Sequence, residues 1–475
     1  MAIDTRLLKP SRNQQEPIYL QLYHRVRDAI ANGQLGPGDR VPSVRSLASE
    51  LNVARGTVEA AWQMLIGEGY LIARGPAGTV VSPQLDGRTD AGQPATPAHT
   101  PSPRAATRSA LLPFQLGMPA LDAFPRKSWV RLAGRRLRSM QVADLTYPDA
   151  AGYEPLRRAI ASYLGISRGI ACSPQQVFIT AGYRGALDLI CRTLFRPGDA
   201  GWFEDPGYIH AREFLQRAGM KLVPVPVDDD GLNVEAGRRR APRARFAVVT
   251  PTHQSPLGVA LSLPRRLALL AWARSRDAWI VEDDYDSEFR YHGRPLPALK
   301  SLDRDGRVLY TGTFSKVLYP GLRLAYLVVP EARIADFADT AAWTGGGGSL
   351  LLQSVAADFI EQGHFVRHLK KMRGLYATRR TWLVDALTQG FGDALLHVPP
   401  RAGGIHVLAH WTTPRDDRRL AQAANSQGLA IQPLTAWCMR ESATPGMMLG
   451  FANLESARQA HAQVRRLHRA VADLL

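Results

Sequence analysis

Apolar residues recur at helical spacing through most of the first eighty positions. In PIYLQLYHRVRDAIANGQL, which begins at Pro17, they fall on one face until an Asn-Gly pair ends the pattern. Ser43 is a suitable N-cap for a second helix, VRSLASEL, and RGTVEAAWQMLIGEG follows as a third. Short β-like runs at 70–72 and 79–81 flank RGPAG and predict a hairpin. Helix, helix–turn–helix and hairpin together predict a winged helix, whose short helix can enter a DNA major groove.

A different pattern begins after residue 110, where short apolar runs alternate with helical ones. A basic helix is expected near 129–140 and another from Glu154. The alternation predicts an α/β domain with a mostly parallel sheet that is covered on both faces. Ligands of such sheets bind in the loops beyond the strand ends. The expected strands are QQVFITAG, AGWFEDPGY, KLVPVPVD, RFAVVTP, WIVEDDY, VLYTGTFS and LAYLVVP.

Between these two regions the composition changes. Residues 83–109 are rich in Pro, Ala, Thr and Gly and contain almost no large apolar side chain, so this stretch cannot bury enough surface to fold. We interpret it as a flexible linker. The predicted domains are therefore a winged helix at 1–82 and an α/β domain at 110–475, joined by 83–109.

The net charge of +17 is weak evidence for a polyanionic partner. Residues 1–82 hold nine Lys and Arg against seven Asp and Glu, a net of +2, and the remainder holds 50 against 35, a net of +15. The predicted DNA-binding part is thus not the most basic part. The three cysteines have no metal or redox spacing, and no run of eighteen apolar residues occurs, so we expect a cytoplasmic protein.

One lysine stands at a turn between two apolar runs, in VLYTGTFSKVLYPGLRLAYLVV. Lys316 there is in a position where burial would make an amine nucleophilic, able to form a Schiff base with an aldehyde cofactor. The hydroxyls of Thr313 and Ser315 and the guanidinium of Arg323 could then hold a phosphate.

Four other strand ends carry residues suited to the same ligand. Free N–H groups after Gly182, at Tyr183 and Arg184, would favour a phosphate where a helix begins. The ring of Tyr208 could lie on a flat heterocycle. The third strand end offers His253 and Gln254 as hydrogen-bonding groups. At the fourth, a carboxylate of EDDYD could pair with a protonated ring nitrogen, and the Tyr285 hydroxyl could bond a phenolate oxygen.

Two metal sites are the alternatives for these residues. The EDDYD run could bind a hard cation, but no second acidic cluster follows at a compatible place. His364 and His368 have the i,i+4 spacing of a zinc pair, but the glutamate of a metalloprotease motif is missing, and an exposed helix face explains them better. We expect no metal.

The first eighty residues resemble the GntR-type winged-helix regulators. The matching signature is PSVRSLASELNVARGTVEAAWQMLIGEGYL followed by RGPAGTVV. The resemblance implies that the DNA-contacting residues are Arg45, Arg55, Thr57, Arg74 and Gly75, the last two in the wing.

Residues 110–475 resemble the fold-type I, aspartate-aminotransferase-like enzymes that use pyridoxal 5′-phosphate, most strongly in EDDYDSEFRY and TGTFSKVLYPGLRLAY. The resemblance implies that Lys316 forms the internal aldimine and that Asp283, with a register ambiguous by one residue, pairs with the pyridine nitrogen. The remaining cofactor contacts that it implies are Tyr285 and Gln254 on the ring substituents, Tyr208 stacked on the ring, Gly182, Tyr183, Arg184, Thr313, Ser315 and Arg323 at the phosphate, and Tyr147 from the partner subunit of a homodimer.

The order of the two domains resembles that of the MocR subfamily of bacterial transcription regulators. This implies binding to operator DNA, and a response to the cofactor itself or to an amine or amino acid. The alternatives are an aminotransferase with a DNA-binding appendage and a scaffold without cofactor. An aminotransferase needs an arginine near the end of the chain to clamp the substrate carboxylate. The comparable stretch here is GMMLGFANL, which has Met447 and Met448 and no arginine, although Arg401 and Arg440 are nearby in sequence.

Overall fold

The computed structural model describes residues 8–11, 16–83, 111–291, 293, 296–440 and 444–475. The chain divides into two compact units, Met1–Thr107 and Arg108–Leu475. Except for Pro83, the predicted linker at 83–109 lies outside the described residues, so its character and the domain boundaries remain predictions.

The first unit is a winged helix, as the hydrophobic pattern predicts. Ser43 caps α2, since its hydroxyl accepts a hydrogen bond from the Ser46 N–H at 3.1 Å. A two-residue strand forms between α1 and α2, because the Asp39 carbonyl accepts from Val81 N–H at 2.8 Å and draws the segment onto the hairpin. The elements are α1 (Ile18–Ala31), β1 (Arg40–Val41), α2 (Val44–Leu51), α3 (Arg55–Gly67), β2 (Leu71–Ala73) and β3 (Thr79–Val81), with an antiparallel sheet in the order β1-β3-β2.

The second unit contains a mixed, mostly parallel sheet of eight strands, as predicted. Its order is β4-β11-β10-β9-β8-β5-β6-β7. The pairs from β10 through β9, β8 and β5 to β6 are parallel, whereas β11 runs antiparallel to both β4 and β10, and β7 antiparallel to β6. The strands are β4 (Val177–Thr180), β5 (Ala200–Asp205), β6 (Lys221–Asp228), β7 (Gly231–Leu232), β8 (Phe246–Val249), β9 (Trp279–Asp284), β10 (Val308–Thr313) and β11 (Ala325–Val328).

A smaller antiparallel sheet, in the order β12-β13-β15-β14, follows in the last eighty residues. Its strands are β12 (Leu396–His397), β13 (His406–Trp411), β14 (Gln432–Pro433) and β15 (Gly446–Gly450). The helices of this unit are α4 (Arg126–Arg138), α5 (Glu154–Arg168), α6 (Tyr183–Leu194), α7 (Ile209–Arg217), α8 (Val234–Arg240), α9 (Leu263–Arg276), α10 (Ile334–Thr344), α11 (Leu350–Glu361), α12 (His364–Phe391), α13 (Asp417–Ser426) and α14 (Ala457–Val471).

Strand β5 illustrates how the large sheet buries both of its faces. Successive side chains of a strand point to opposite faces. Trp202 stacks on Trp272 of α9 with ring centroids 3.8 Å apart, whereas Phe203 belongs to the separate core that contains residues of α6 and α7. The continuous apolar composition of these strands follows from this double coverage.

The described residues also bear on the histidine pair of α12, on metal clusters and on membrane-spanning helices. The explanation of His364 and His368 as an exposed pair is wrong for His368, which is buried with its Nε2 2.8 Å from the Val317 carbonyl. The described residues contain no cluster of three or more His, Cys, Asp or Glu suited to a metal ion. Over the same part of the chain, no helix is both long and apolar enough to cross a membrane.

Candidate functional site

The predicted site residues of the second unit converge on one cavity of about 480 Å³. The large sheet and the loops at its strand ends contribute Gly182, Tyr183, Arg184, Tyr208, Asp283, Tyr285, Thr313, Ser315, Lys316 and Arg323. A larger groove of about 820 Å³, beside α5 and the start of α12, does not include Lys316. In that groove Arg168 and Glu288 pair with each other at 3.2 Å, whereas Lys316 and Asp283 lie in the smaller cavity.

Lys316 lies in the turn that leaves β10, with its amine held against the backbone of a distant segment. Its Nζ donates to the Gly117 carbonyl at 2.8 Å. A Cβ added at Gly117, whose φ is +75°, would stand only 2.8 Å from this nitrogen, so a side chain there would displace the amine. Burial lowers the pKa of Lys316, and the Asp286 and Asp283 carboxyls only partly oppose this. The amine is therefore biased toward its neutral, nucleophilic form.

Strand β9 includes the first three acidic residues of EDDYD, as the expected strand WIVEDDY does. Its alternation settles which carboxyl faces the cavity. Glu282 accepts hydrogen bonds from the backbone N–H groups of Leu299 and Lys300 at 2.7 and 2.8 Å. Asp283, on the opposite face, lines the cavity. Burial raises the pKa of Asp283 to about 8, against the lowering effect of the nearby Tyr183 hydroxyl.

The next acidic residue anchors the strand. Asp284 accepts from Arg168 Nε at 3.0 Å and from the Tyr310 hydroxyl of β10 at 2.6 Å. Since Arg168, Asp284 and Tyr310 are all buried, this network fixes the end of β9 against β10, which leads to Lys316.

Two tyrosine hydroxyls flank the Asp283 carboxyl. The Tyr183 hydroxyl is buried without a hydrogen-bond partner of ordinary geometry among the described residues. The Tyr285 hydroxyl lies 3.0 Å from Nδ1 of His253, and that nitrogen is also 3.0 Å from Asp286. His253, which lies outside the cavity lining, thus orients the hydroxyl of Tyr285, which lines the cavity. A buried hydroxyl left unpartnered in the protein is a suitable contact for a polar ligand atom.

An anion cradle occupies one part of the cavity wall. Gly182, with φ +83°, precedes α6. The N–H groups of Tyr183 and Arg184 at its start have no acceptor within the helix, whereas that of Gly185 donates to the Gly182 carbonyl at 2.9 Å. The Arg323 guanidinium reaches the same turn, where Nη2 donates to the Ala181 carbonyl at 3.1 Å. Thr313 and Ser315 also line the cavity, and Thr313 Oγ1 accepts from the Ser315 N–H at 3.1 Å, which fixes the rotamer of Thr313.

Of Tyr208, Gln254 and Tyr147, which were also predicted to contact the cofactor, Tyr208 alone lines the cavity, with its ring centroid 5.9 Å from that of Trp437. Gln254 lies behind the wall: its amide donates to Glu204 at 3.1 Å and to the Pro206 carbonyl at 2.9 Å, and the neighbouring Ser255 lines the cavity instead. Tyr147 is fully exposed and lies outside the cavity of its own subunit.

Sequence reasoning missed several lining residues. Ser255 follows the polar pair that was singled out, so the strand-end rule applied one position further would have found it. The others come from the segment before α4, the start of α7, the turn after Lys316, and the smaller sheet, where no strand had been predicted: Leu116, Gly117, Met118, Ile209, His210, Pro320, Ile405, His406, Gln432, Trp437 and Met448.

The predicted DNA contacts lie at helix starts and in the wing of the first unit. Arg45 is exposed in the first turn of α2, and Arg55 is exposed as the first residue of α3, with Thr57 half-buried two positions later. Arg74 and Gly75, both exposed, lie between β2 and β3, and Gly75 has a φ of +58° that favours glycine.

Comparisons with known proteins agree with this division. Residues 18–81 match the family "Bacterial regulatory proteins, gntR family", and residues 117–444 match "Aminotransferase class I and II". The chain is 38% identical to the probable rhizopine catabolism regulatory protein MocR of Rhizobium meliloti, over 94% of this chain and 93% of that protein. It is 34% identical to the pyridoxine biosynthesis transcriptional regulator PdxR of Corynebacterium glutamicum, over 92% and 93%.

A solved structure extends the likeness to the fold of the second unit. The kynurenine aminotransferase of Pyrococcus horikoshii, in complex with PMP, superposes with a TM-score of 0.69 at 27% identity, over 77% of this chain and 92% of that one. The family and these neighbours imply pyridoxal 5′-phosphate as the cofactor. The cavity fits it, since a buried amine of lowered pKa, a buried carboxyl, an unpartnered tyrosine hydroxyl and an anion cradle meet there.

The raised pKa of Asp283 predicts a pH-dependent stability of the ligand-free protein. The unfolded carboxyl titrates near pH 4 and the folded one near pH 8, so between these values the folded state binds more protons. The free energy of unfolding should therefore fall as the pH rises from about 4 to 8. Asp283→Asn should reduce this slope in urea titrations at pH 5 and 8.

The exposed Asp385→Asn of α12 is the matched control and should leave the slope unchanged. A slope identical in wild type and Asp283→Asn would contradict the assigned burial of this carboxyl.

Proposed function

We propose the following function from the premise that this chain belongs to the GntR-type transcription regulators of the MocR subfamily, in which a winged helix precedes an aminotransferase-like domain. The first unit binds operator DNA, and the second binds pyridoxal 5′-phosphate and responds to the cofactor or to an amine or amino acid. One observation carries this proposal: Lys316, Asp283 and Arg323 share a cavity whose wall near the end of the chain supplies Met448. A cytoplasmic location suits such a regulator.

The cavity residues have distinct roles in this proposal. Bound there, the cofactor supplies an aldehyde that condenses with a primary amine. Lys316 offers that amine, whose pKa burial lowers. Asp283 pairs with the protonated pyridine nitrogen, a charge-assisted contact worth roughly 1.5–3 kcal/mol. Tyr285, oriented by His253, donates to the ring oxygen, Tyr208 covers the ring, and Arg323 with the start of α6 holds the phosphate.

The aminotransferase alternative receives less support. Arg401 donates from Nε to the Leu257 carbonyl at 2.9 Å, and the backbone N–H of Arg440 donates to Asp205 at 3.1 Å. Neither arginine is among the lining residues of the cavity. Within the described residues, the wall formed by the smaller sheet therefore offers no clamp for a substrate carboxylate, and transamination of amino acids lacks its usual anchor.

Replacement of the lysine tests cofactor attachment. The purified protein should absorb near the border of the visible and ultraviolet, and Lys316→Ala should abolish the band of lysine-linked cofactor and let dialysis remove the cofactor. Lys300→Met is the matched control, because Lys300 is the other lysine whose pKa burial lowers, and it lies outside the cavity. An unchanged spectrum in Lys316→Ala would contradict the assignment of Lys316 as the lysine that links the cofactor.

DNA recognition is tested at the start of α3. Arg55→Ala should weaken operator binding by roughly 1–3 kcal/mol if the guanidinium contacts a base edge bidentately. Arg55→Lys distinguishes a base contact from a phosphate contact, since lysine retains the charge but not the bidentate geometry. Titrations by fluorescence anisotropy at two salt concentrations measure both effects, with the exposed Arg304→Ala of the second unit as control. Wild-type affinity of Arg55→Ala at both salt concentrations would remove this residue from the interface.

A homodimer follows from the same proposal. Tyr147 is exposed together with Val142 and Leu145, an apolar surface that a partner subunit would cover. Light scattering should give about twice the chain mass of 52.2 kDa. Subunits carrying Tyr147→Ala, when mixed with subunits carrying Lys316→Ala, should regain one complete site, because each variant supplies what the other lacks. A cofactor-loaded monomer, or failure of this complementation, would show that the site is not shared.

A further inference from the structure

We propose that the cavity selects a primary amine without a carboxylate on its amine-bearing carbon. This inference rests on the proposed function and names the chemical class of the effector. It follows from the wall of the cavity that the smaller sheet and its neighbouring turn provide. That wall contains Ile405 and His406 from the start of β13, Gln432 of β14, Trp437 and Met448 of β15.

The wall carries no cation among the described residues. Of the arginines that line the cavity, Arg323 belongs to the anion cradle at the start of α6, whereas Arg184 is exposed in the first turn of that helix, near the Tyr208 hydroxyl and outside the wall. In the proposed arrangement that cradle is filled by the cofactor phosphate. A ligand carboxylate beside Lys316 would therefore be buried without a guanidinium, and an unpaired buried carboxylate is strongly unfavourable.

The polar groups of the wall are neutral and suit a neutral ligand. His406 Nε2 lies 3.1 Å from the Pro256 carbonyl, which can only accept, so Nε2 carries the proton and Nδ1 is an acceptor. Burial lowers the pKa of His406, which disfavours its cationic form. Gln432 accepts from the Trp437 indole N–H at 2.9 Å, and its own amide remains a donor. These groups can bond a hydroxyl, but they cannot neutralise a carboxylate.

Met448 turns the centre of this wall into an apolar surface. It is fully buried on β15, between Leu408 of β13 and Gln432 of β14. Its cluster includes Trp437, with Tyr208 packed against it, so the apolar body of a ligand would rest on two aromatic rings and a thioether.

Matched pairs of ligands test the inference on the cofactor-loaded, full-length protein. 2-Phenylethylamine is paired with L-phenylalanine, and 3-methylbutylamine with L-leucine, so that each pair differs only by the carboxylate. Absorbance changes and calorimetric titration should give each amine a Kd at least tenfold lower than that of its amino acid. Equal or tighter binding of the amino acids, or no response to either class, would overturn the inference and leave cofactor binding intact. Absence of the cofactor band would overturn the proposed function as well.

A substitution at the centre of the wall provides the second test. Met448→Arg should invert the preference within each pair, because the guanidinium would pair with the carboxylate bidentately. Met448→Leu, of similar volume, should keep the preference for amines. If Met448→Arg does not fold, the wild-type pairs still decide. A folded Met448→Arg that keeps the wild-type preference would contradict the role of this wall.

Discussion

Three consecutive carboxyl groups buried on one strand impose the constraint on which the rest of the second unit depends. A buried, unpaired charge costs several kcal/mol, so each of Glu282, Asp283 and Asp284 requires its own compensation. The backbone N–H groups of Leu299 and Lys300 compensate Glu282 in part, since burial still raises its pKa to about 7. Arg168 with Tyr310 compensates Asp284. Asp283, alone on the opposite face, has a pKa raised by burial to about 8, and a protonated ring nitrogen would supply the missing cation.

The same network explains why Lys316 stands where it does. Tyr310 of β10 bonds Asp284 of β9, and the parallel register pairs Thr311 with Asp283. The position of β10 is thereby fixed relative to the buried carboxyl, and the turn that follows carries Lys316 into the same cavity. Gly117, where a side chain would collide with the amine, completes the placement from a segment nearly two hundred residues earlier. Local sequence thus supplies the lysine, and long-range packing supplies its orientation.

The sequence was sufficient wherever the signal is local. The Ser43 cap, the strand periodicity and the choice of Asp283 all depend on neighbouring residues. The structure agrees on the cap and the strands, and Asp283 rather than Glu282 lines the cavity, while its role toward a cofactor stays a prediction. The smaller sheet escaped prediction because β12 and β14 have two residues each and exist only through pairing with distant strands. Gln254 was expected at the cofactor because its polarity is visible in sequence, whereas its burial against Glu204 is not. His368 was likewise expected on an exposed helix face, whereas its contact with the Val317 carbonyl is that of a core residue.

The division of the cavity between two sheets bears on how a ligand could act as a signal. A ligand shifts a conformational equilibrium only by the difference between its interaction free energies with the two states. The cofactor contacts proposed here belong mainly to the large sheet and its loops, so they alone give little reason for the smaller sheet to move. A ligand whose body rests on Met448 and Trp437 while its amine lies beside Lys316 contacts both walls at once. Such a ligand would favour any arrangement that keeps both walls within its reach. The proposed preference for an amine and a ligand-dependent change of conformation would then depend on the same wall.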